Sequence, residues 1–382
     1  MTLEADGARG GRSTVVTSVH TIVVHKSSHA YSSHPCITML ASGGWLVVFG
    51  QSIERRPYLH PPSDPRFLNV AVRSDDQGQT WGDPRAVPNY DWYGVEASGI
   101  AQLSNGDVLL NQWRFRWYPL ELARKLWSGG EEIFLTADHP YEWRRAEIDD
   151  DWERHPFPYA RADDGAFVHI STDEGRTWDE TVRVEIEPYR GAFSPKGAIE
   201  LDSGDVVLAL GSHDYDPYAA SFIVRSEDGG RSWSAPVEVA RSPGLIFSEP
   251  TAVATANGRL LVLSREETSG FVYQSESDDE GRTWSTVRRL PLWGYPTHAI
   301  RLADGRILAI YGRRREPFGI RAALSEDNGR SWGPEIVLTN DCPNDNLGYP
   351  SVIEYSPGQL FAVHYSEDEE GVTCIRGTYF SV

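Results

Sequence analysis

Ser277–Trp284 reads SDDEGRTW, and four further stretches repeat it with small changes. Ser74–Trp81 is SDDQGQTW, Ser171–Trp178 is STDEGRTW, Ser226–Trp233 is SEDGGRSW and Ser325–Trp332 is SEDNGRSW. The shared pattern is Ser-x-Asp-x-Gly-x-(Thr/Ser)-Trp. Each fixed position suits a tight turn. The Asp carboxylate and Ser hydroxyl accept hydrogen bonds from nearby backbone amides. The Gly supplies a positive φ that a residue with a Cβ resists. The Trp lays a large apolar surface back against neighbouring strands. Five copies without a mismatch at the defining positions establish an internal repeat.

A second repeat interleaves with the first. Turn signals lie at Gly43-Gly44, Asn105-Gly106, Ser203-Gly204, Asn257-Gly258, Asp304-Gly305 and Pro357-Gly358. Most resemble two-residue hairpin turns. A strand-like run follows each: WLVVFG, DVLLNQW, DVVLAL, RLLVLS, RILAIYG and QLFAVHY. Six hairpins stand against five octamers, and the chain ends soon after the sixth hairpin. Thr14–His25 (TVVTSVHTIVVH) is a β-branched run with no hairpin of its own. It can supply the outer strand that the last hairpin lacks. The expected fold is therefore all-β: a six-bladed β-propeller of four-stranded antiparallel blades, closed by pairing the two ends. Residues 1–12 read as a polar, Gly-rich tail, and 13–382 as one propeller domain.

The octamer resembles the Asp box of the sialidase (neuraminidase) superfamily, and the resemblance runs from about Thr14 to the C-terminus. In that family Asp boxes lie on the face opposite the active site. The octamers thus speak to fold, and function has to be argued from the other face.

Composition narrows the function classes. The formal net charge of the 382-residue chain is −19, which disfavours a nucleic-acid partner. Cys36, Cys342 and Cys374 are odd in number and lack metal-motif spacing, so neither a disulfide framework nor a zinc site is expected. No cofactor is implied. No apolar run is long enough to span a bilayer. No secretory leader is visible, so a cytoplasmic location is expected.

Blade two is overlong. Trp81 and Trp178 lie much farther apart than the later octamer tryptophans lie from one another. The excess falls between Arg114 and Ala166. It includes LELARKLW, which reads as a short helix, and the acidic run Asp149–Trp152, which reads as a solvated loop. The insertion follows the second strand of its blade, so it should stand above the functional face as a lid or specificity element.

Strand direction selects the residues that should converge there. One set precedes each inner strand: Ser33-His34-Pro35, Val95-Glu96-Ala97, Ser194-Pro195-Lys196, Ser248-Glu249-Pro250, Tyr295-Pro296-Thr297-His298 and Gly348-Tyr349-Pro350. The other follows the returning strand: Gly50-Gln51, Trp113-Arg114, Ser212-His213-Asp214, Ser264-Arg265-Glu266, Gly312-Arg313-Arg314 and His364-Tyr365. Their wealth of Arg, His, Glu and Tyr points to a polar pocket.

The resemblance implies roles for some of them. Sialidases hold a substrate carboxylate with three arginines and use a Tyr nucleophile assisted by a Glu, with an Asp as acid/base. Glu249 and Arg265 look like the family's Glu and second Arg, and Tyr349 like the nucleophile. Arg313 or Arg321 could serve as the third Arg. His34-Pro35-Cys36 stands where sialidases have Arg-Ile-Pro, so the first Arg is absent. Glu54 and Asp64 lie in the loop where the acid/base would fall. Arg114, Lys196, His213, Asp214, Gln51 and His364 complete the candidate substrate-binding set. His34, His213, His298 and His364 are also candidate proton-transfer groups near neutrality. His25, His29 and His34 do not have convincing metal-ligand spacing.

Three functions fit this pattern. The first is an exo-acting glycoside hydrolase on an acidic or otherwise polar sugar. The second is a uronate lyase on the same propeller, with Arg neutralising the carboxylate and His or Tyr taking the α-proton. The third is a non-catalytic propeller that binds glycan or protein.

Overall fold

The computed structural model describes residues 17–52, 65–88, 93–95, 98–136, 143–189, 191–212 and 219–382. Six antiparallel sheets follow one another around an axis, and the inner strands of successive blades pack together there. From the axis outward, blade one runs Tyr31–Met39, Trp45–Ser52, Phe67–Ser74 and Arg85–Ala86. The inner strands of blades two to six are Gly99–Gln102, Ile199–Glu200, Phe247–Ala254, Thr297–Arg301 and Leu347–Ser356. Blade six ends with Thr373–Ser381, which pairs with Thr17–His25. The six-bladed ring and its closure by the N-terminal strand are thus both present. Residues 14–16 of the expected strand lie outside the described residues.

Second strands are buried from end to end, as in Val206–Gly211 and Ile307–Tyr311, because both faces of each blade meet a neighbouring blade. The apolar clusters lie between blades. One joins Leu302, Leu308 and Ile310 of blade five to Val352 and Leu360 of blade six.

The five octamers fold alike. In each, the Ser hydroxyl accepts the Gly amide at 2.7–2.8 Å. One Asp oxygen accepts the Thr/Ser amide at 2.8–2.9 Å, and the other takes the Thr/Ser hydroxyl. The residue before the Gly also has a positive φ, between 57° and 71°. The pattern gave no sign of that second left-handed residue.

Only Pro357-Gly358 is a two-residue hairpin, with Ser356 paired to Gln359. The other five close over three residues. Leu103, for example, donates to the Asp107 carbonyl and accepts from Gly106, whose φ is 94°. The glycine therefore fills the bulge position that follows a tight turn, rather than the centre of a two-residue loop. Free turn amides bond to the next blade. Glu200 of blade three accepts from Ser104 of blade two at 2.6 Å, and Glu354 of blade six from Ala303 of blade five at 2.6 Å.

Blade two departs from the plan. Its middle strands, Val108–Pro119 and Tyr159–Ser171, extend well past the blade. The expected insertion limits fall inside these paired strands, with Arg114 opposite Gly165. The excursion proper is Leu120–Pro158. It carries a helix at Leu120–Ser128 and a short one at Asp149–Arg154, packed through Ala123, Ile133, Leu135 and Trp152. The acidic run forms the start of the second helix. There Asp151 accepts the amides of Glu147 and Ile148 and Asp149 pairs with Arg124.

A cluster of strained residues at the propeller axis

Outside the octamers, three described non-glycine residues have a positive φ: His34 (56°), Glu249 (46°) and Tyr349 (49°). Each precedes a proline, a position that sterically favours extended backbone. Such outliers cost about 1–3 kcal/mol each and persist only where the surroundings hold them. Each sits in a bulge of its inner strand, where the register shifts between Ser33 and Cys36, Ser248 and Thr251, or Gly348 and Ser351. The bulge turns one side chain per blade out of the pleat.

The three side chains belong to one cluster. The Tyr349 hydroxyl of blade six donates to Glu249 Oε1 of blade four, past the intervening blade five. The His34 ring meets the Tyr349 ring edge-on, with centroids 4.0 Å apart. All three residues are at most 4% exposed. Arg265, opposite Ser248 in the sheet, gives Nη1 to Glu249 Oε2 at 2.9 Å and Nη2 to Glu267 Oε2 at 2.7 Å. Its guanidinium lies 4.0 Å from the Tyr295 ring centroid. Arg314 completes the group. Its Nε donates to the Leu347 carbonyl at 2.8 Å and its Nη2 to the Tyr365 hydroxyl at 3.1 Å.

Charge in this cluster is shared. Burial would raise the Glu249 carboxyl, but Arg265, the Tyr349 hydroxyl and Arg314 outweigh it and hold the group below its ordinary value. Glu267 goes the other way. Burial leads, Arg265 pulls it down, and the nearby Glu249 charge helps leave it raised.

Lys196 and His298 lie beneath. Lys196 is 1% exposed and reaches across the axis to the Pro350 carbonyl at 2.8 Å. Burial lowers its ammonium to about 8. It can enter the axis because a glycine lies beside it. A Cβ on Gly99 would be 2.0 Å from the Lys196 carbonyl oxygen. His298 accepts the Val352 amide on Nδ1 at 3.0 Å, and burial together with the Lys196 charge holds the ring well below its ordinary value.

The remaining candidates lie apart from this cluster. Arg313 and Arg321 both pair with Glu335, at 3.5 and 3.3 Å, and Arg321 also donates to the Pro317 and Thr339 carbonyls. Arg314, next to Arg313, occupies the place expected for one of them, because alternation sends adjacent strand-end side chains to opposite faces. Arg114 pairs with Asp164 at 3.3 Å and covers the Phe167 ring. Gln51 donates to His25 and Ser32 between blades six and one. His364 is fully buried, next in sequence to Tyr365 but on the other face of the strand, and is lowered to about 3 by burial and then by Arg376. His213, Asp214, Glu54, Asp64 and Glu96 lie outside the described residues. Among the described residues no group of three His, Cys, Asp or Glu could hold a metal ion, and no helix is long and apolar enough to cross a membrane.

Tyr295, Arg314 and Tyr365 lay in the converging strand-end stretches without an assigned role, and Glu267 lay just outside them. The three strained residues share the order (Ser/Gly)-x-Pro, at Ser33-His34-Pro35, Ser248-Glu249-Pro250 and Gly348-Tyr349-Pro350, but the same order elsewhere, as at Gly82-Asp83-Pro84 and Ser234-Ala235-Pro236, means that it does not single them out. A cavity of about 510 Å³ lies elsewhere, among the hairpins of blades four to six, lined by Ala256, Arg301, Leu302, Ala303, Gly305 and Glu354. Its charged groups are already engaged. Glu354 accepts from Ala303 and Gly358, and Arg301 donates to Thr255.

The insertion rises from the octamer-free face. Its Phe134 and Trp143, with Trp117 at the end of the strand leading into it, share one packed cluster with Tyr349 and Tyr365. Arg161 is buried among them, 4.3 Å from the Phe115 centroid and 5.2 Å from that of Trp143.

Known proteins resemble this arrangement. The chain is 25% identical over 224 residues to a sialidase of Paraclostridium sordellii, covering 49% of this chain and 55% of that protein. It thus spans about half the length of that curated relative. A Dyadobacter fermentans protein of unknown function has the same fold with a TM-score of 0.79 and 21% identity, covering 96% of this chain and all of the other. An α-L-arabinanase of Penicillium chrysogenum, solved with arabinobiose, gives a TM-score of 0.60 at 14% identity, covering 94% of this chain and 97% of the other. The BNR repeat-like domain model matches residues 162–362, more than half of the chain, and the protein belongs to that family of sialidase-like propellers.

Proposed function

We propose that the protein is an exo-acting, retaining glycoside hydrolase with Tyr349 as its nucleophile. The observation that carries this reading is the hydrogen bond from the Tyr349 hydroxyl to Glu249, made between two residues in left-handed conformations before prolines. A phenol is a weak nucleophile, and a carboxylate that takes its proton makes it a competent one. The Tyr349 oxygen attacks the anomeric carbon while its proton passes to Glu249. The glycosidic bond breaks, and its oxygen leaves with a proton from an acid, the role that Glu54 or Asp64 would take. Water then attacks the glycosyl-tyrosine and gives a proton to the residue that acted as acid, now a base, while Glu249 returns its proton to the departing Tyr349 oxygen, and the configuration is retained. His34 and Tyr365 wall the nucleophile and limit its motion. The insertion, packed in one cluster with Tyr349 and Tyr365, serves as the upper wall of the site.

The sialidase and arabinanase relatives support the reaction class, and the charge distribution around Arg265 bears on the sugar. The test is a panel of 4-nitrophenyl glycosides with the wild type and Tyr349→Phe. The variant should lose at least about a thousandfold in kcat/KM and keep the thermal midpoint of the wild type. Full activity in Tyr349→Phe would overturn the reading.

A further inference from the structure

We propose that the site accepts an uncharged glycone, and that Glu267 sets this preference by occupying the edge of Arg265 that a substrate carboxylate would need. The inference rests on the reading of the axial cluster as a sugar site. It narrows the acidic or otherwise polar sugar expected from the sequence to an uncharged one.

A carboxylate is captured best by two parallel N–H groups on one edge of a guanidinium. Neither arginine in the cluster offers an empty edge. On Arg265, Nη2 is bound by Glu267 and Nη1 by Glu249. On Arg314, Nε and Nη2 are bound by Leu347 and Tyr365. Arg313 and Arg321, which could have added positive charge, pair with Glu335 instead. Among the described residues, two arginines therefore face two glutamates, so their charges offset one another in this layer. Lys196 lies beneath this layer, 1% exposed and with its ammonium on the Pro350 carbonyl, so it offers no edge to a substrate carboxylate.

What remains open suits a diol. Among the described residues the Nε of Arg265 has no hydrogen-bond partner. Beside it, the Glu267 carboxylate is 32% exposed, with one oxygen on Arg265 and the other held by the Ser248 hydroxyl. A donor next to an acceptor matches neighbouring sugar hydroxyls, which both give and accept hydrogen bonds. A carboxylate ligand would only accept, and it would meet Glu267 as a like charge.

Acetate is a probe that needs no knowledge of the sugar. The thermal midpoint is measured in sodium acetate against sodium chloride at equal ionic strength, for the wild type, Glu267→Ala and Glu267→Ala/Arg265→Lys. The wild type should be indifferent. Glu267→Ala should gain on the order of 2–4 °C in acetate as the freed edge binds it, and the double variant should lose that gain. Acetate stabilising the wild type as much as Glu267→Ala overturns the inference, and so does an alanine variant that gains nothing. Glu267→Gln, which removes the charge and keeps the shape, is read by the same shifts if the alanine variant does not fold. The hydrolase reading is tested separately. A fully active Tyr349→Phe would end that reading without moving the acetate result, and an acetate-binding wild type would end this one without touching Tyr349.

Discussion

The two faces of the propeller use the same uncommon backbone conformation in different ways. On the octamer face, Gln77, Glu174, Glu280 and Asn328 have φ of 57–60°. On the other face His34, Glu249 and Tyr349 have φ of 46–56°. An octamer stabilises its left-handed residues within its own eight positions, through the Ser and Asp side chains and the Gly. The axial residues are held in large part by contacts from other blades. A proline follows each, and the Tyr349–Glu249 bond joins residues 100 positions apart. The first kind of turn is modular and can be repeated around the ring. The second exists only once the ring has closed, and it fixes side chains that local sequence alone would leave free.

This contrast can be broken from either side. The largest effect should come from Glu249→Gln, which keeps the shape and removes the proton acceptor. Activity should fall about 10²- to 10⁴-fold in steady-state kinetics, and a loss under threefold would remove Glu249 from the chemistry. If a slow reaction instead releases a product absorbing in the ultraviolet, the lyase reading replaces the hydrolase.

Gly99→Ala attacks the support beneath the cluster. Its Cβ would meet the Lys196 carbonyl, so chemical denaturation should report a loss of more than about 3 kcal/mol. A neutral substitution would show that the inner strands can separate there.

Lys196 gives a comparable effect that depends on pH. Its ammonium titrates near 8 in the folded protein against an ordinary 10.5. Below pH 8 both states are charged and the burial penalty is full. Between 8 and 10.5 the unfolded chain binds more protons, so stability rises with pH. Relative to Lys196→Met, the wild type should therefore gain about 3 kcal/mol between pH 7 and 11. A parallel pair of stability curves would contradict this.

Ser277→Ala should be the mildest change. It removes the acceptor for the Gly281 amide in one octamer and should cost about 1–2 kcal/mol, with kcat/KM unchanged. A change in kcat/KM would mean that the two faces are coupled.

These differences also explain what could be read from the chain. The fold was legible because the octamers and hairpins are local and repeated, and because Thr17–His25 had no partner near it in sequence. Glu249, Tyr349, Arg265 and His34 were legible as strand-end residues and are neighbours in the structure. Arg314 was not distinguished from Arg313, because choosing between adjacent residues at a strand end needs the pleat phase. Glu267 lies one position past the strand Leu260–Glu266. Glu266 itself is spent on the turn, where it accepts the amides of Thr268 and Ser269. Only the path of that turn brings Glu267 back onto Arg265.

The most direct test of the account is to trap its covalent intermediate. The protein would be incubated with a fluorinated glycosyl fluoride of the sugar it turns over best, digested and examined by mass spectrometry. The account predicts one added glycosyl group on the peptide containing Tyr349, absent in Tyr349→Phe. A label on any other residue, or inverted product with no label, would contradict it.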